Sequence, residues 1–298
     1  MSKDFPWLPE ARARYRAVGQ RSLPRNVIAL LEQAAALHPD RVALHFIETG
    51  RELTYAALLE SVRRLANGFT HAGIGRGSPV GVMLANVPEM PITWLALAAI
   101  GAVMVPANTR YTAHELHYLL ADAGATHLVI QADFAPLLAA LPEPLPGLVT
   151  IVAGEAPGNF RWQELHDRGA ATFAPAVEPA LDDLLNIQYT SGTTGWPKGC
   201  LLTQRYWLTC AKAYADSDGI SYRRILSPNP FFYMTPQWLM LMAFFQGATM
   251  YVAPYLSLTR FVHWLQHFAI EFCWFPMDAM IQVPPGPDDS SLAMIRGN

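Results

Sequence analysis

Lysine is nearly absent: Lys3, Lys198 and Lys212 are the three in 298 residues. Charge of either sign is sparse, at 15% of residues with a net charge of −3. Such a chain offers no basic field to a polyanion, and no Lys/Arg run supplies a local one, so nucleic acid is not the expected partner. Cysteine is scarce too. Cys200, Cys210 and Cys273 are widely spaced with no CxxC pair. That argues against a zinc site or a disulfide framework and predicts buried free thiols in a reducing compartment. No apolar run reaches the roughly 20 residues of a membrane helix. Trp94–Val105 and Trp238–Val252 come nearest, and Gly101 and Gln246-Gly247 interrupt them. The start, Met1-Ser2-Lys3-Asp4-Phe5-Pro6, lacks the apolar core of a signal peptide. A cytoplasmic protein with no transmembrane segment is expected.

What is present is apolar: hydrophobic residues make up 52%, enough for a large core. Residues 1–25 have little apolar period and read as an N-terminal arm. Asn26 is placed to cap a helix to about Leu37, and Thr54 one that ends at Gly73. Short apolar strands then alternate with helices: Val80–Leu84, a helix to Gly101, Val103–Val105, a capping box at Thr112–Glu115, and His127–Ile130. A Pro/Ala/Gly-rich connector spans 154–179. Near-continuous apolar strands between helices predict an α/β fold whose mostly parallel sheets are covered by helices. The chain is divided at 180/181, giving a first α/β subdomain at 26–180 and a second at 181–298.

The densest chemistry lies where the apolar strand Leu184–Tyr189 runs into Thr190-Ser191-Gly192-Thr193-Thr194-Gly195-Trp196-Pro197-Lys198-Gly199. Glycines can turn successive N–H groups toward one point, hydroxyls add donors, and Lys198 adds a mobile cation. Convergent donors around one cation describe a polyphosphate cradle. A plain Gly/Ser/Thr-rich surface turn is the alternative, but it needs no apolar strand feeding it and none of the chain's few lysines. The NTPase P-loop does not fit, because Pro197 keeps the chain extended before Lys198 where that motif starts a helix.

From Tyr189 to Gly199 the sequence matches, without a gap, the Tyr-Thr-Ser-Gly-Thr-Thr-Gly-x-Pro-Lys-Gly signature of the AMP-forming acyl-CoA synthetases. Leu53-Thr54-Tyr55, Asn86–Asn108 and Leu116–Gly124 extend the resemblance, which covers roughly residues 25–285. It implies the N-terminal domain of an adenylate-forming enzyme, with two mostly parallel sheets. It also implies that Thr190, Ser191, Gly192, Thr193, Thr194, Gly195 and Lys198 close over the β- and γ-phosphates of ATP, with Lys198 catalytic. One departure is Thr203-Gln204, where the family usually has Thr-His.

Pro230-Phe231-Phe232-Tyr233 sits where the family has a Pro-Leu-Phe-His-like motif beside the acyl site, and Tyr233 takes the histidine position. Phe232, Tyr233, Gln237 and Trp238 are therefore expected to line the acyl pocket, with Trp274, Phe275 and Met277 opposite; any one of them could instead be core. The Pro-x-Phe-x-x-x-x-Gln pattern is most similar to crotonobetaine/carnitine–CoA ligases. The implied substrates are a small-molecule carboxylic acid, ATP with Mg2+, and CoA as cosubstrate; an oligomer is compatible with this. The alternatives are an amino-acid or aryl-acid adenylation domain and a non-catalytic nucleotide-binding protein. His114 and His117 lie at i, i+3 without acidic partners and read as solvated, so no metal site is assigned. Asp182-Asp183 reads as a solvated turn. The family's Tyr-Gly-x-Thr-Glu and Thr-Gly-Asp segments are not found, and no lysine follows Lys212. The 298 residues are therefore expected to be the N-terminal part of the enzyme and inactive alone.

Overall fold

Every apolar run expected to be a strand is one in the computed structural model, which describes residues 13, 16, 22–190, 196–274, 296 and 297. In chain order the helices are α1 (Val27–Leu37), α2 (Tyr55–His71), α3 (Glu89–Ile100), α4 (Ala113–Asp122), α5 (Trp162–Arg168), α6 (Gln204–Asp216), α7 (Met234–Gln246) and α8 (Leu258–His267). The strands are β1 (Val42–Phe46), β2 (Arg51–Thr54), β3 (Pro79–Met83), β4 (Val103–Pro106), β5 (His127–Gln131), β6 (Val149–Ala153), β7 (Phe160–Arg161), β8 (Leu184–Thr190), β9 (Lys198–Thr203), β10 (Arg224–Ser227), β11 (Thr249–Val252), β12 (Phe272–Cys273) and β13 (Arg296–Gly297). The short strands β2 and β7 were not expected: two to four residues, half of them exposed or more in β2, give no clear alternation.

Two sheets result. One has the order β13-β12-β10-β11-β1-β2, the other β7-β6-β5-β3-β4-β8-β9. Both are parallel except at one edge, where β2 and β9 pair antiparallel with β1 and β8. The expected α/β class with two mostly parallel sheets is the observed one. A cut at 180/181, however, does not follow the sheets. β1 and β2 cross over to pair beside β11, while β8 and β9 complete the sheet begun by β3 and β4. Sequence order hides this, because a parallel strand can join any sheet its crossover reaches.

The largest core lies between the sheets. It joins Val80, Val82 and Leu84 at one sheet with Ala43, Leu44 and Ile225 at the other through residues of α1, α2, α3, α6 and α7. α3 is buried at every position from Met90 to Ile100, so it has no polar face to show water. Gly101 ends it in the left-handed region at φ 79°, which a side chain would resist. α4 covers the outer face of one sheet through Leu116, Leu119 and Leu120, and α8 that of the other through Phe261, Trp264 and Leu265. The outcome is five layers, helix–sheet–helix–sheet–helix. The caps expected at Asn26, Thr54 and Thr112 are formed, each accepting a backbone N–H, and Thr203 caps α6 in the same way.

Two sequence expectations need correction. Cys200 is exposed on β9 and Cys210 half-buried, so only Cys273 is the buried thiol foreseen. Asp182 and Asp183 are more than a solvated turn: they pair with Arg205 at 2.7 Å and Arg76 at 2.6 Å, respectively. His114 is exposed, as expected of a solvated residue, but His117 is half-buried. Among the described residues no helix is long and apolar enough to cross a membrane. Most of the N-terminal arm lies outside the described residues.

Candidate active site

β8 and β9 form an antiparallel hairpin in which Thr190 stands directly opposite Lys198. Opposed residues share a face, and alternate residues share it along each strand. Thr190, Gln188 and Asn186 therefore lie on one face with Lys198 and Cys200, while Ile187 and Tyr189 lie on the other, packed on the α4 side. Lys198 is exposed, whereas Lys212 is 7% exposed and bonded to Asp216 at 3.0 Å. The hairpin is braced on the α4 side: Tyr118 donates to the Pro197 carbonyl at 3.0 Å, and Tyr189 to Asp122 Oδ2 at 2.5 Å. Burial, then the Asp122 carboxylate, pushes the Tyr189 phenol well above its ordinary range. Gly199 is required where it stands: a Cβ there would lie 2.7 Å from Ile187 Cγ2 and 3.2 Å from the Tyr189 ring. As expected, Pro197 leads into extended chain rather than a helix. Ser191, Gly192, Thr193, Thr194 and Gly195 lie outside the described residues.

The face that carries Lys198 meets the segment 229–233 through amide side chains. Gln188 Nε2 donates to the Phe232 carbonyl at 2.7 Å. Gln237 Nε2 donates to the Phe231 carbonyl at 2.9 Å and the Tyr233 carbonyl at 3.2 Å. Asn186 Nδ2 donates to Gln237 Oε1 at 2.9 Å and itself accepts from the Trp94 indole at 2.9 Å. From β3's side, Asn86 accepts the Phe231 N–H at 2.8 Å and donates to the Asn229 and Ala253 carbonyls. Three successive carbonyls are thus fixed by side chains, because an irregular buried segment has no ladder to satisfy them.

These contacts sort the expected acyl-pocket residues. Tyr233 is 51% exposed at the start of α7, and Phe232 packs against it at 4.5 Å between ring centroids. Gln237 is fully buried with its amide engaged by protein. Trp238 is 5% exposed, stacked on Tyr214 at 4.0 Å and edge-on to Trp274 at 6.1 Å. Among the described residues, Gln237, Trp238 and Phe232, the last 7% exposed, are buried, and of the four only Tyr233 stands open to a ligand. Of the two roles the sequence leaves open to each of these residues, lining or core, α7 decides most for core, because it is apolar all round and turns much of the run inward. Phe275 and Met277 lie outside the described residues. Gln204, in the family's histidine position, is fully buried and accepts the Val27 N–H at 2.8 Å, fastening α6 to α1. Asn186, Gln188 and Asn86 were missed; two amides at alternate positions of an otherwise apolar strand were the signal.

Two mostly parallel sheets with buried helices between them, and an edge hairpin presenting a lone exposed cation, are the architecture of adenylate-forming N-terminal domains. The inhibitor-bound N-terminal domain of FACL13 from Mycobacterium tuberculosis superposes with a TM-score of 0.79 at 29% identity, over 89% of this chain and 68% of that one. The chain belongs to the AMP-binding enzyme family, whose model matches residues 31–287. Among its relatives, the long-chain-fatty-acid–CoA ligase FadD13 of Mycobacterium tuberculosis is 33% identical over 79% of this chain and 46% of its own length. A crotonobetaine/carnitine–CoA ligase of Citrobacter koseri is 31% identical over 76% of this chain and 46% of its own. The chain therefore spans about half the length of these relatives, and their near-equal identities single out neither kind of acid.

Proposed function

We propose that this chain supplies the ATP-phosphate and acyl-binding surfaces of an AMP-forming acyl-CoA ligase. In the first step a carboxylate oxygen of the acid attacks the α-phosphorus of Mg-ATP. The bond to the bridging oxygen breaks and pyrophosphate leaves with the electron pair. In the second, the CoA sulfur attacks the acyl carbon, AMP leaves, and the thiol proton passes to solvent. Lys198, with the donors of Thr190–Thr194, stabilises charge on the departing pyrophosphate. Tyr233 meets the acyl group, with Phe232 packed beneath it; Gln237 holds the Phe231 and Tyr233 carbonyls from behind. The relatives named above act, by their names, on a long-chain fatty acid and on crotonobetaine or carnitine. What these share is the carboxylic acid, and we assign this chain a carboxylic acid substrate without choosing between an apolar chain and a quaternary ammonium body.

One observation carries the reading. Lys198 and Thr190 share a strand face with Gln188, whose amide holds the Phe232 carbonyl, so phosphate and acyl groups bound there would be neighbours. The test is single-turnover pyrophosphate release in the protein carrying this chain. Lys198→Ala is expected to slow it about 10- to 1,000-fold, as for loss of one electrostatic stabiliser. Release at the parent rate would overturn the assignment. Residues 1–298 assayed by themselves are expected to hold Mg-ATP weakly, in a salt-sensitive way, without turnover.

A further inference from the structure

On the opposite face of the hairpin from Lys198, between β8 and α4, lies a cavity of about 360 Å³. Pleat alternation separates the two: Tyr189, which lines the cavity, points away from the face that carries Thr190. Its walls are four aromatic rings, Tyr111, Tyr118, Tyr189 and Trp196, with the carboxylate of Glu115. No lysine or arginine is among the described residues that line it. Trp196 stacks on Tyr118 at 4.7 Å between centroids, and Tyr118 meets Tyr189 at 82° and 6.4 Å. Two rings at nearly right angles ensure that a ligand in their corner meets the face of at least one.

We propose that this cavity binds a small organic ammonium ion with apolar substituents, through the ring faces that the Tyr118–Trp196 stack and Tyr189 leave open and the carboxylate of Glu115. The rings carry negative π-faces, which attract a cation whose methyl groups also fill the apolar wall. The Asp122 carboxylate, accepting from the Tyr189 hydroxyl at 2.5 Å, makes that ring richer in electrons. Glu115 is charged at neutral pH, since the Thr112 N–H and hydroxyl hold its carboxyl below the usual range. Burial, then Glu115, raises the Tyr111 phenol, and Tyr189 is raised as well, so neither adds a charge and the carboxylate of Glu115 makes the lining negative. A hard inorganic cation fits poorly, because it demands a shell of oxygen ligands and the wall offers one carboxylate. A neutral apolar ligand would fill the volume but gain nothing from the Glu115 carboxylate.

The experiment is an NMR titration of the 298-residue chain with choline and with its neutral isostere 3,3-dimethylbutan-1-ol, at constant ionic strength. The Trp196 indole N–H, assigned by its loss in Trp196→Phe, is the reporter. Choline is expected to bind roughly 3- to 30-fold more tightly than the isostere, the range a cation–π contact supplies. Glu115→Gln, which keeps an acceptor for the Thr112 cap, should weaken choline and leave the isostere unchanged. Equal binding of the two would show an apolar cavity only and overturn the proposal. So would no response to choline up to tens of millimolar in the folded parent protein, a concentration set by the weak end of the cation–π range. Neither ATP nor turnover enters, so this result stands or falls apart from acyl activation.

Discussion

Asn186 and Gln237 are joined at 2.9 Å in the core, and through that bond β8 is tied to the carbonyls of Phe231 and Tyr233. Both side chains are fully buried, so neither can exchange its partner for water. Removing one leaves the other unmatched. Asn186→Ala and Gln237→Ala should each destabilise by about 1–3 kcal/mol, the cost of a buried unpaired amide. In a double-mutant cycle the pair should show a coupling of about 0.5–3 kcal/mol, read from urea unfolding midpoints. Additive effects would mean that the two amides do not act as one unit.

Tyr233 and Trp238 are five residues apart and make opposite predictions. Trp238 is packed between Tyr214 and Trp274, so Trp238→Ala should lower stability by about 3–5 kcal/mol, as for a large core side chain. Tyr233 is half-exposed, and Tyr233→Ala should stay within about 0.5 kcal/mol of the parent while changing the ranking of acids in an adenylation assay. A Tyr233→Ala protein with the parent's ranking would remove Tyr233 from the acyl site.

Most of the elements could be read from the sequence because their signals are local. Asn26, Thr54, Thr112 and Thr203 cap helices through bonds spanning three residues, and a capping box needs nothing beyond its own turn. The sheet assignment was not local. Nothing near β1 announces that Leu44 will pair with Met250, some two hundred positions away. The residues expected to line an acyl pocket could not be sorted for a related reason: nothing local in Phe232, Tyr233, Gln237 and Trp238 tells lining from core, and only the packing of α7 between the sheets decides which side chains face inward. Lys198 stood out because lysine is so rare here, and the structure leaves it exposed.

Gly199 should tolerate no side chain. Its missing Cβ is where Ile187 and the Tyr189 ring cross the hairpin, and the closest atom would be 2.7 Å away. Gly199→Ala must shift the Ile187 methyl, push Tyr189 off Asp122 or part the two strands, at a cost of about 1–3 kcal/mol for an overpacked site. Loss of the Tyr189 bond should appear as a phenol that titrates closer to its ordinary value. An unchanged unfolding midpoint together with an unchanged phenol titration would contradict this.

Glu115 should make the stability of α4 depend on pH with a defined sign. Its carboxylate accepts the Thr112 N–H at 2.7 Å and the Thr112 hydroxyl at 2.8 Å, and these bonds lower its folded-state pKa below the ordinary glutamate value. The unfolded chain, lacking them, binds the proton first as pH falls. The stabilisation is therefore fully present above the unfolded pKa, about 4.3, and is lost as pH drops through the lower folded value. Since the group is solvent-exposed, the size is that of a helix cap rather than a buried ion, about 0.5–1 kcal/mol. Parent and Glu115→Ala should differ by that amount in urea unfolding at pH 7 and converge near pH 3, an endpoint set about one unit below the ordinary glutamate pKa. A gap that widened on acidification would mean that the protonated carboxyl, not the carboxylate, holds the Thr112 cap.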